Sequence, residues 1–262
     1  MNLAESVLVR ELLRSLDCMK KNPVFVLAVV GLDLLFVIFC TFIYSLVGNQ
    51  IAAHAVLIAN QVSPMLAQGQ TGLLAKLFQG SLQPLTVKLL VLVGLFFVLL
   101  YVGYVVLQGL AWWFSSQVAQ SAHSLRKYVV LFAKLNVLWL VLFAFIKLLD
   151  VFLGLRYQLI RKFAPSALNV SAPIITVLFV ALGIVVFLSY GRLRAREFLK
   201  IPFLQGSGLL AMCVILFLVV WAIVDLFSTA RFELRLLVQI LFLPIFVLIR
   251  VYMIRVVNHV RA

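Results

Sequence analysis

Long apolar runs, each about the length of a membrane-spanning helix, alternate along this chain with short polar segments. About 20 consecutive apolar residues are needed to cross the roughly 30 Å of bilayer hydrocarbon. The pattern therefore predicts an all-α fold, a polytopic helical membrane bundle with six transmembrane helices in a single integral membrane domain, residues 1–262. The predicted spans are about 24–47, 87–111, 128–150, 173–190, 207–227 and 235–255.

Residues 3–21 have the periodicity of an amphipathic helix. Such a helix either lies in the membrane interface at an anionic leaflet or packs against its own bundle. Charged residues interrupt the segment throughout, so it has no apolar core of a signal peptide and no cleavage is expected. The apolar side carries Ala4, Leu8, Leu12, Leu16 and Met19, and the polar side carries Arg10, Arg14, Asp17 and Lys21.

Residues 48–86 are too polar to span a membrane and too apolar for a solvated loop. We expect one or two short interfacial or re-entrant helices there, about 50–62 and 71–79, with breaks at Pro64 and Gly69. Further along the chain, Trp112 and Trp113 close the second span at the expected headgroup level. Pro244 predicts a kink in the sixth span.

Composition and charge narrow the class of protein. The chain is 65% hydrophobic and 11% charged, which excludes a water-soluble enzyme. Its 22 Lys and Arg against 8 Asp and Glu give a net charge of +14, and the basic residues lie between apolar runs. This placement favours membrane topology and anionic lipids over nucleic acid. With a cytoplasmic N-terminus, thirteen Lys and Arg lie inside, seven outside and two within the third span, which predicts a cell-membrane protein with both termini cytoplasmic.

Asp33 is the most unusual residue of the apolar runs, because it lies about nine residues into the first predicted span. An ionised Asp at mid-bilayer costs about 2.5–3.5 kcal/mol, so the side chain should face the bundle interior or be protonated. Lys134, in the third span, is a candidate partner. The pair is either a proton- or cation-responsive site or a structural contact between helices. Gln108 and Gln239 are further candidates for hydrogen bonds between helices.

A short motif, Asp-x-Phe-x-x-x-Arg-aromatic-x-Leu, occurs twice, with Asp150 and Arg156 in one copy and Asp225 and Arg231 in the other. Each copy lies between two predicted spans, so the hairpins of spans three and four and of spans five and six correspond. Repeated hairpins of this kind could frame a substrate or ion path. The alternative is ordinary anchoring at the membrane interface. Asp and Arg six residues apart lie about 240° apart on a helix, so they can pair only if the helix ends between them.

A regular basic stripe follows the fourth span. Arg192, Arg196 and Lys200 recur at intervals of four residues beside Phe198 and Leu199. Such a stripe binds anionic lipid or docks an acidic cytoplasmic partner. Topology alone would explain the sign of these charges but not their spacing.

Candidate chemistry for an enzyme is sparse. The three His are isolated, the three Cys are dispersed, and the sequence lacks metal-binding, nucleophile-elbow and Walker motifs. We therefore predict no catalytic, cofactor-binding or metal-binding residues and no enzymatic activity. The expected partners are membrane lipids, anionic ones above all, together with a partner membrane subunit or a second copy of the chain.

The opening segment, Leu12-Leu13-Arg14-Ser15-Leu16 followed by Lys20-Lys21-Asn22-Pro23 and an apolar span, resembles the membrane-domain family of glycerophosphoryl diester phosphodiesterases and its stand-alone relatives. The resemblance covers about the first 35 residues and the pattern of spans. It implies a multi-helical membrane domain. It implies no catalytic residues, since phosphodiesterase chemistry belongs to a separate soluble domain. We expect a non-enzymatic membrane protein that engages anionic lipid or a partner subunit through a basic cytoplasmic face; the alternative is a small transporter or channel component that uses Asp33 and Lys134.

Overall fold

The computed structural model describes residues 3–67, 78–80, 82–120, 124–163, 171–191, 193, 214 and 232–259. Regular secondary structure within these ranges is entirely helical, which confirms the predicted all-α class. The helices are α1 (Leu3–Lys21), α2 (Pro23–Ile43), α3 (Asn49–Ala67), α4 (Leu82–Gly103), α5 (Gly109–Val118), α6 (Leu125–Phe163), α7 (Ser171–Tyr190) and α8 (Phe232–His259).

Two π-helical turns join consecutive helices without interrupting them. Tyr44–Gly48 connects α2 to α3, and Tyr104–Gln108 connects α4 to α5. A π-helical turn accommodates extra backbone within a helix while the hydrogen-bonded path continues. For this reason the first helix does not end near residue 48, as the polarity of the following segment had suggested, and α3 continues past Pro64 to Ala67. Residues 78–80 form a turn instead of the end of a 71–79 helix, whose residues 71–77 lie outside the described ranges.

Within the described ranges, five helical segments are long and apolar enough to cross a membrane. They correspond to predicted spans one to four and six, and the protein is membrane-embedded. The fifth predicted span, 207–227, lies outside the described residues except for Val214. The five segments are Pro23–Val62, Leu82–Val118, Leu125–Asp150, Ala172–Tyr190 and Leu241–Asn258.

Two helices extend well beyond their predicted ends. The second predicted span, 87–111, lies in a helical segment that runs to Val118, and the third, 128–150, lies in α6, which runs to Phe163. Residues 151–163 contain no proline and one glycine, so nothing in the local sequence stops the helix after Asp150. Hydropathy sets the limits of the membrane crossing, whereas helix-breaking residues set the limits of the helix.

The chain divides into two compact units. The larger unit contains Met1–Gly31 and Gly109–Ala262. In it α8 packs against α1, α5 and α7, and α6 packs against α5 and α7. The buried side chains of this unit concentrate in α5, in the first half of α6, at the end of α7 and in the second half of α8.

The smaller unit, Leu32–Gln108, is a helical hairpin. The π-helical turn at Tyr44–Gly48 and α3 both pack against α4. The register is antiparallel, since Asp33 contacts Gln108 and Phe36 contacts Tyr104. Its apolar side chains are largely exposed on the hairpin surface, as expected for a segment that faces lipid.

Candidate functional site

Helix α1 packs against α8 through an unexpected face. Among residues 9–21 of α1 the buried side chains are Glu11, Ser15 and Cys18, which we call the packed face. Leu16, on the predicted apolar side, is instead 37% exposed. At about 100° per residue, the packed face is therefore rotated away from the apolar side of the helix.

An ion-pair cluster holds the packed face in place. The Glu11 carboxylate accepts hydrogen bonds from Arg14 Nη1 at 2.8 Å and from Arg255 Nε, on α8, at 3.1 Å. Arg255 Nη1 also contacts Cys18 Sγ at 3.3 Å. Arg255 thus joins α8 to two positions of α1 that lie about two turns apart, through a single guanidinium group, which suits a planar group with several fixed donors.

The environment of Glu11 keeps its carboxyl group ionised. Burial alone would raise the pKa of Glu11, but the hydrogen bonds and positive charges of Arg14 and Arg255 outweigh it and hold the pKa below its ordinary value. Glu11 is 1% exposed, so a carboxylate without these partners would be costly there. The cluster is consequently a fixed attachment between α1 and α8.

An aromatic core lies next to this attachment in the same unit. Trp112 is 2% exposed and packs edge-on against Phe187 and Tyr190, with ring centroids 5.6 and 5.1 Å away. The Arg250 guanidinium carbon lies 5.7 Å from the centroid of the Trp112 ring, within range of a cation–π contact. Trp112 is therefore a core residue of the larger unit, whereas its partner in the predicted headgroup pair, Trp113, is only half-buried.

Polar side chains join α6 to α7 beside this core. The Tyr190 hydroxyl donates to Asn136 Oδ1, and Trp139 Nε1 donates to Ser189 Oγ at 3.1 Å. All four side chains are buried. Because each donor meets an acceptor inside the unit, the contacts fix how the two helices pack.

Five exposed positive charges of the larger unit lie on two of its helices. We call them the basic face: all are exposed, and they lie on α1 and on the first turn of α6. These two helices connect through α8 and α5, since α1 packs on α8, α8 on α5 and α5 on α6. The charges therefore project from one folded unit. The members of the basic face are Arg10, Lys20, Lys21, Arg126 and Lys127.

The predicted stripe Arg192, Arg196 and Lys200 lies outside the described residues. Its two described neighbours, Gly191 and Leu193, belong to the larger unit. A Cβ atom at Gly191 would lie 3.2 Å from Val257, so only a residue without a side chain fits easily against α8 there. Leu193 is buried. The two residues that flank Arg192 in the chain therefore belong to the larger unit, which also contains the basic face.

Asp33 is buried within the smaller unit, as its position in an apolar helix predicts. It is 6% exposed, and its Oδ1 accepts a hydrogen bond from Gln108 Nε2 at 3.0 Å. Gln108 closes the π-helical turn Tyr104–Gln108, and such turns recur at functional positions of helices. The hydrogen bond between helices that the sequence suggested for Gln108 is thus present.

Close backbone approach accompanies the Asp33 contact. A Cβ atom at Gly103 would overlap the Phe39 ring, so the absence of a side chain lets the two helices meet. One turn away, the Phe36 and Tyr104 rings pack edge-on, with centroids 5.7 Å apart. Gly103 and this aromatic pair set the distance at which Gln108 reaches Asp33.

Lys134, the proposed partner of Asp33, lies on α6 in the larger unit and is exposed. Asp33 accepts a hydrogen bond from the Gln108 amide, and the pairing with Lys134 stays a prediction. Among the residues that the structure describes, no three His, Cys, Asp or Glu side chains are grouped to hold a metal ion.

The first copy of the repeated motif lies on a continuous helix. Since α6 does not end between Asp150 and Arg156, the two residues stay about 240° apart around the helix, and the condition for their pairing is not met. Asp150 instead accepts a hydrogen bond from Lys147 Nζ at 3.1 Å. Asp225 and Arg231 of the second copy lie outside the described residues.

The Glu11–Arg255 attachment was not predicted from the sequence. A signal was present, because Glu11, Ser15 and Cys18 recur at the helical intervals of four and three residues and form a face of small and polar side chains. The partner Arg255 is 244 residues away in the chain, and periodicity within α1 contains no information about it.

Comparisons with known proteins give no further assignment: the chain matches no protein-family model, no curated protein and no solved structure.

Proposed function

We propose that this protein is a non-enzymatic, six-span protein of the cell membrane that binds anionic phospholipid headgroups through its basic face, with both termini in the cytoplasm. The observation that carries the proposal is the exposure of all five cationic side chains of the basic face on one packed unit. In this proposal the stripe Arg192, Arg196 and Lys200 extends the same cationic surface. The resemblance to the phosphodiesterase membrane-domain family stays a prediction and contributes no activity.

Electrostatics supports lipid headgroups as the ligand. Each Lys or Arg near an anionic leaflet contributes about 1 kcal/mol of attraction, so five exposed cations favour a negatively charged surface by several kcal/mol at low salt. Within the described residues, none of the five side chains forms an ion pair. Attraction of this kind weakens as ionic strength rises, because the charges are solvent-exposed.

Lipid retention tests the proposal. The full chain is purified from nanodiscs that contain equal amounts of phosphatidylglycerol and phosphatidylcholine, and the retained lipids are quantified by mass spectrometry. We expect enrichment of phosphatidylglycerol, which falls several-fold when Arg126→Gln and Lys127→Gln are combined. The matched control combines Lys88→Gln with Lys134→Gln, which removes the same charge outside the basic face. Equal retention of both lipids by the unmodified chain would contradict the proposal, and a stable protein partner in place of lipid would favour subunit docking.

A second function, a proton or cation path, is favoured by one observation, the buried Asp33–Gln108 hydrogen bond in the smaller unit. An intramembrane carboxylate of this kind is by default a candidate functional residue. Proteoliposomes loaded with a pH-sensitive dye provide the test. Transport predicts a proton flux that Asp33→Asn abolishes; a flux equal to that of empty liposomes would remove this function.

A further inference from the structure

Helix α1 has three distinct longitudinal strips. The packed face of Glu11, Ser15 and Cys18 is attached to α8. About 150° around the helix from it lies a second strip, which we call the apolar strip: Val9, Leu13 and Leu16, exposed by 52%, 58% and 37%. A third strip, the charged strip, lies beyond it and consists of Arg10, Arg14, Asp17 and Lys21.

We propose that the apolar strip is a membrane-inserting surface, and that α1 lies in the headgroup region with this strip against the acyl chains while its packed face stays attached to α8. The inference rests on the proposed function and specifies the lipid contact. The sequence predicted that α1 either lies in the membrane interface or packs against its own bundle. Both can hold at once, because the side of the helix that faces the interface differs from the side that faces the bundle.

The order of the strips supports a lipid surface as the occupant. The apolar strip is bordered on one side by the charged strip, whose three basic residues outnumber the single acid. Lys20 extends the apolar strip at the end of the helix, where a long side chain can place its alkyl stem along lipid and its ammonium group among phosphates. Apolar side chains beside basic ones are the pattern that binds an anionic bilayer surface.

The Glu11–Arg255 attachment determines which strip meets the membrane. A free amphipathic helix rotates until its most apolar side faces the acyl chains. In this protein Arg255 contacts both Glu11 and Cys18, which fixes the rotation of α1 about its axis. Leu12 and Met19 are therefore half-buried near the packed face, and Val9, Leu13 and Leu16 remain available to lipid.

Spin-label accessibility tests the orientation in the full chain reconstituted in phosphatidylglycerol vesicles. Single cysteines replace Val9, Leu13 or Leu16 in the apolar strip and Arg10, Asp17 or Lys21 in the charged strip, after Cys18, Cys40 and Cys213 are changed to Ala. We expect nitroxides in the apolar strip to be several-fold more accessible to oxygen than to a water-soluble nickel complex, and nitroxides in the charged strip to show the reverse. Preferential accessibility of the apolar strip to nickel would overturn the inference.

A photocrosslinking measurement keeps all native cysteines and therefore does not depend on the substituted background. A benzophenone amino acid at position 13 should crosslink to phospholipid, and the same group at position 17 should give several-fold less lipid adduct. Equal lipid adducts at both positions would overturn the inference.

The lipid composition of the vesicles separates this inference from the proposed function. If the apolar strip contacts acyl chains equally in phosphatidylcholine and phosphatidylglycerol vesicles, insertion is confirmed and headgroup selectivity is not. If phosphatidylglycerol is enriched around a chain whose apolar strip is exposed to water, headgroup binding is confirmed and insertion is wrong.

Discussion

Two buried carboxyl groups of the described residues, Glu11 in the larger unit and Asp33 in the smaller, are held in different ways. Glu11 accepts hydrogen bonds from the charged guanidinium groups of Arg14 and Arg255. Asp33 accepts one from the neutral amide of Gln108. The Glu11 carboxylate is a fixed structural attachment, because loss of the Arg255 charge would leave it buried without its partner on α8. Asp33 lies within a membrane-crossing segment, where an acidic side chain is by default a candidate functional residue, whereas Glu11 lies on α1 outside these segments.

The largest expected loss of stability comes from removing Arg255, and it should exceed the loss from removing Arg14, the other cation that contacts Glu11. Arg255→Met leaves a carboxylate that is 1% exposed without its partner on α8, and we expect a loss of about 3 kcal/mol in the free energy of unfolding. The control Arg14→Met removes a half-exposed partner of the same carboxylate and should cost under about 1 kcal/mol. Unfolding in detergent micelles, followed by intrinsic fluorescence, measures both. Equal losses would show that the contact between α1 and α8 does not depend on Arg255.

The next largest loss of stability is expected where Gly103 of α4 lies against Phe39 of α2 in the smaller unit. Gly103→Ala places a Cβ atom in the Phe39 ring, so we expect a loss of about 1–3 kcal/mol as the hairpin shifts. Gly94→Ala, at a glycine of the same helix with no neighbouring atom within 4 Å, should be neutral or stabilising. The same unfolding assay compares the two variants. A neutral Gly103→Ala would mean that the Phe39 ring moves aside without cost.

Gln108→Leu tests the neutral hydrogen bond itself. Interhelical hydrogen bonds in membranes average about 0.6 kcal/mol with a maximum near 1.7, so we expect a loss of about 1 kcal/mol. Asp33→Asn keeps a side-chain oxygen that accepts from Gln108 and should cost less than Gln108→Leu. Should Gln108→Leu cost as much as Arg255→Met, the contrast between the two carboxylates would be wrong.

The smallest expected effect concerns pH. The pKa of Glu11 is lowered below its unfolded value of 4.5, so its contribution to stability is complete above about pH 4.5. It is lost as the pH falls through the pKa of the folded state, because the unfolded chain binds the proton first. Glu11→Gln should flatten the dependence of unfolding midpoint on pH below 4.5. An unchanged pH profile in this variant would exclude Glu11 as its source.

The sequence predicted those parts of the fold that depend on local patterns. Long apolar runs identified the membrane-crossing helices, and an isolated acid identified Asp33 as buried. Helix ends were less accurate: α6 continues to Phe163 because residues 151–163 contain no strong helix breaker, although hydropathy falls. The π-helical turns depend on how two helices meet, and nothing in a single helix's periodicity indicates them.

Long-range contacts explain what the sequence did not predict in the candidate site. Leu16 was expected on the bundle-facing or lipid-facing side of α1, but the rotation of the helix is set by Arg255, which is distant in the chain. The prediction that Trp112 lies at headgroup level concerned its depth, and it contained no information on the contacts of Trp112 with Phe187, Tyr190 and Arg250. A residue's type indicated its preferred environment, and its neighbours across helices determined the outcome.

Selectivity for anionic lipid at the basic face is the central claim, and spin-labelled lipids test it most directly. The fraction of motionally restricted phosphatidylglycerol around the reconstituted full chain is compared with that of phosphatidylcholine, at low and high salt. We predict a several-fold preference for phosphatidylglycerol that decreases with salt and falls further when Lys20, Lys21, Arg126 and Lys127 are all changed to Gln. Equal association of the two lipids at low salt would contradict the account.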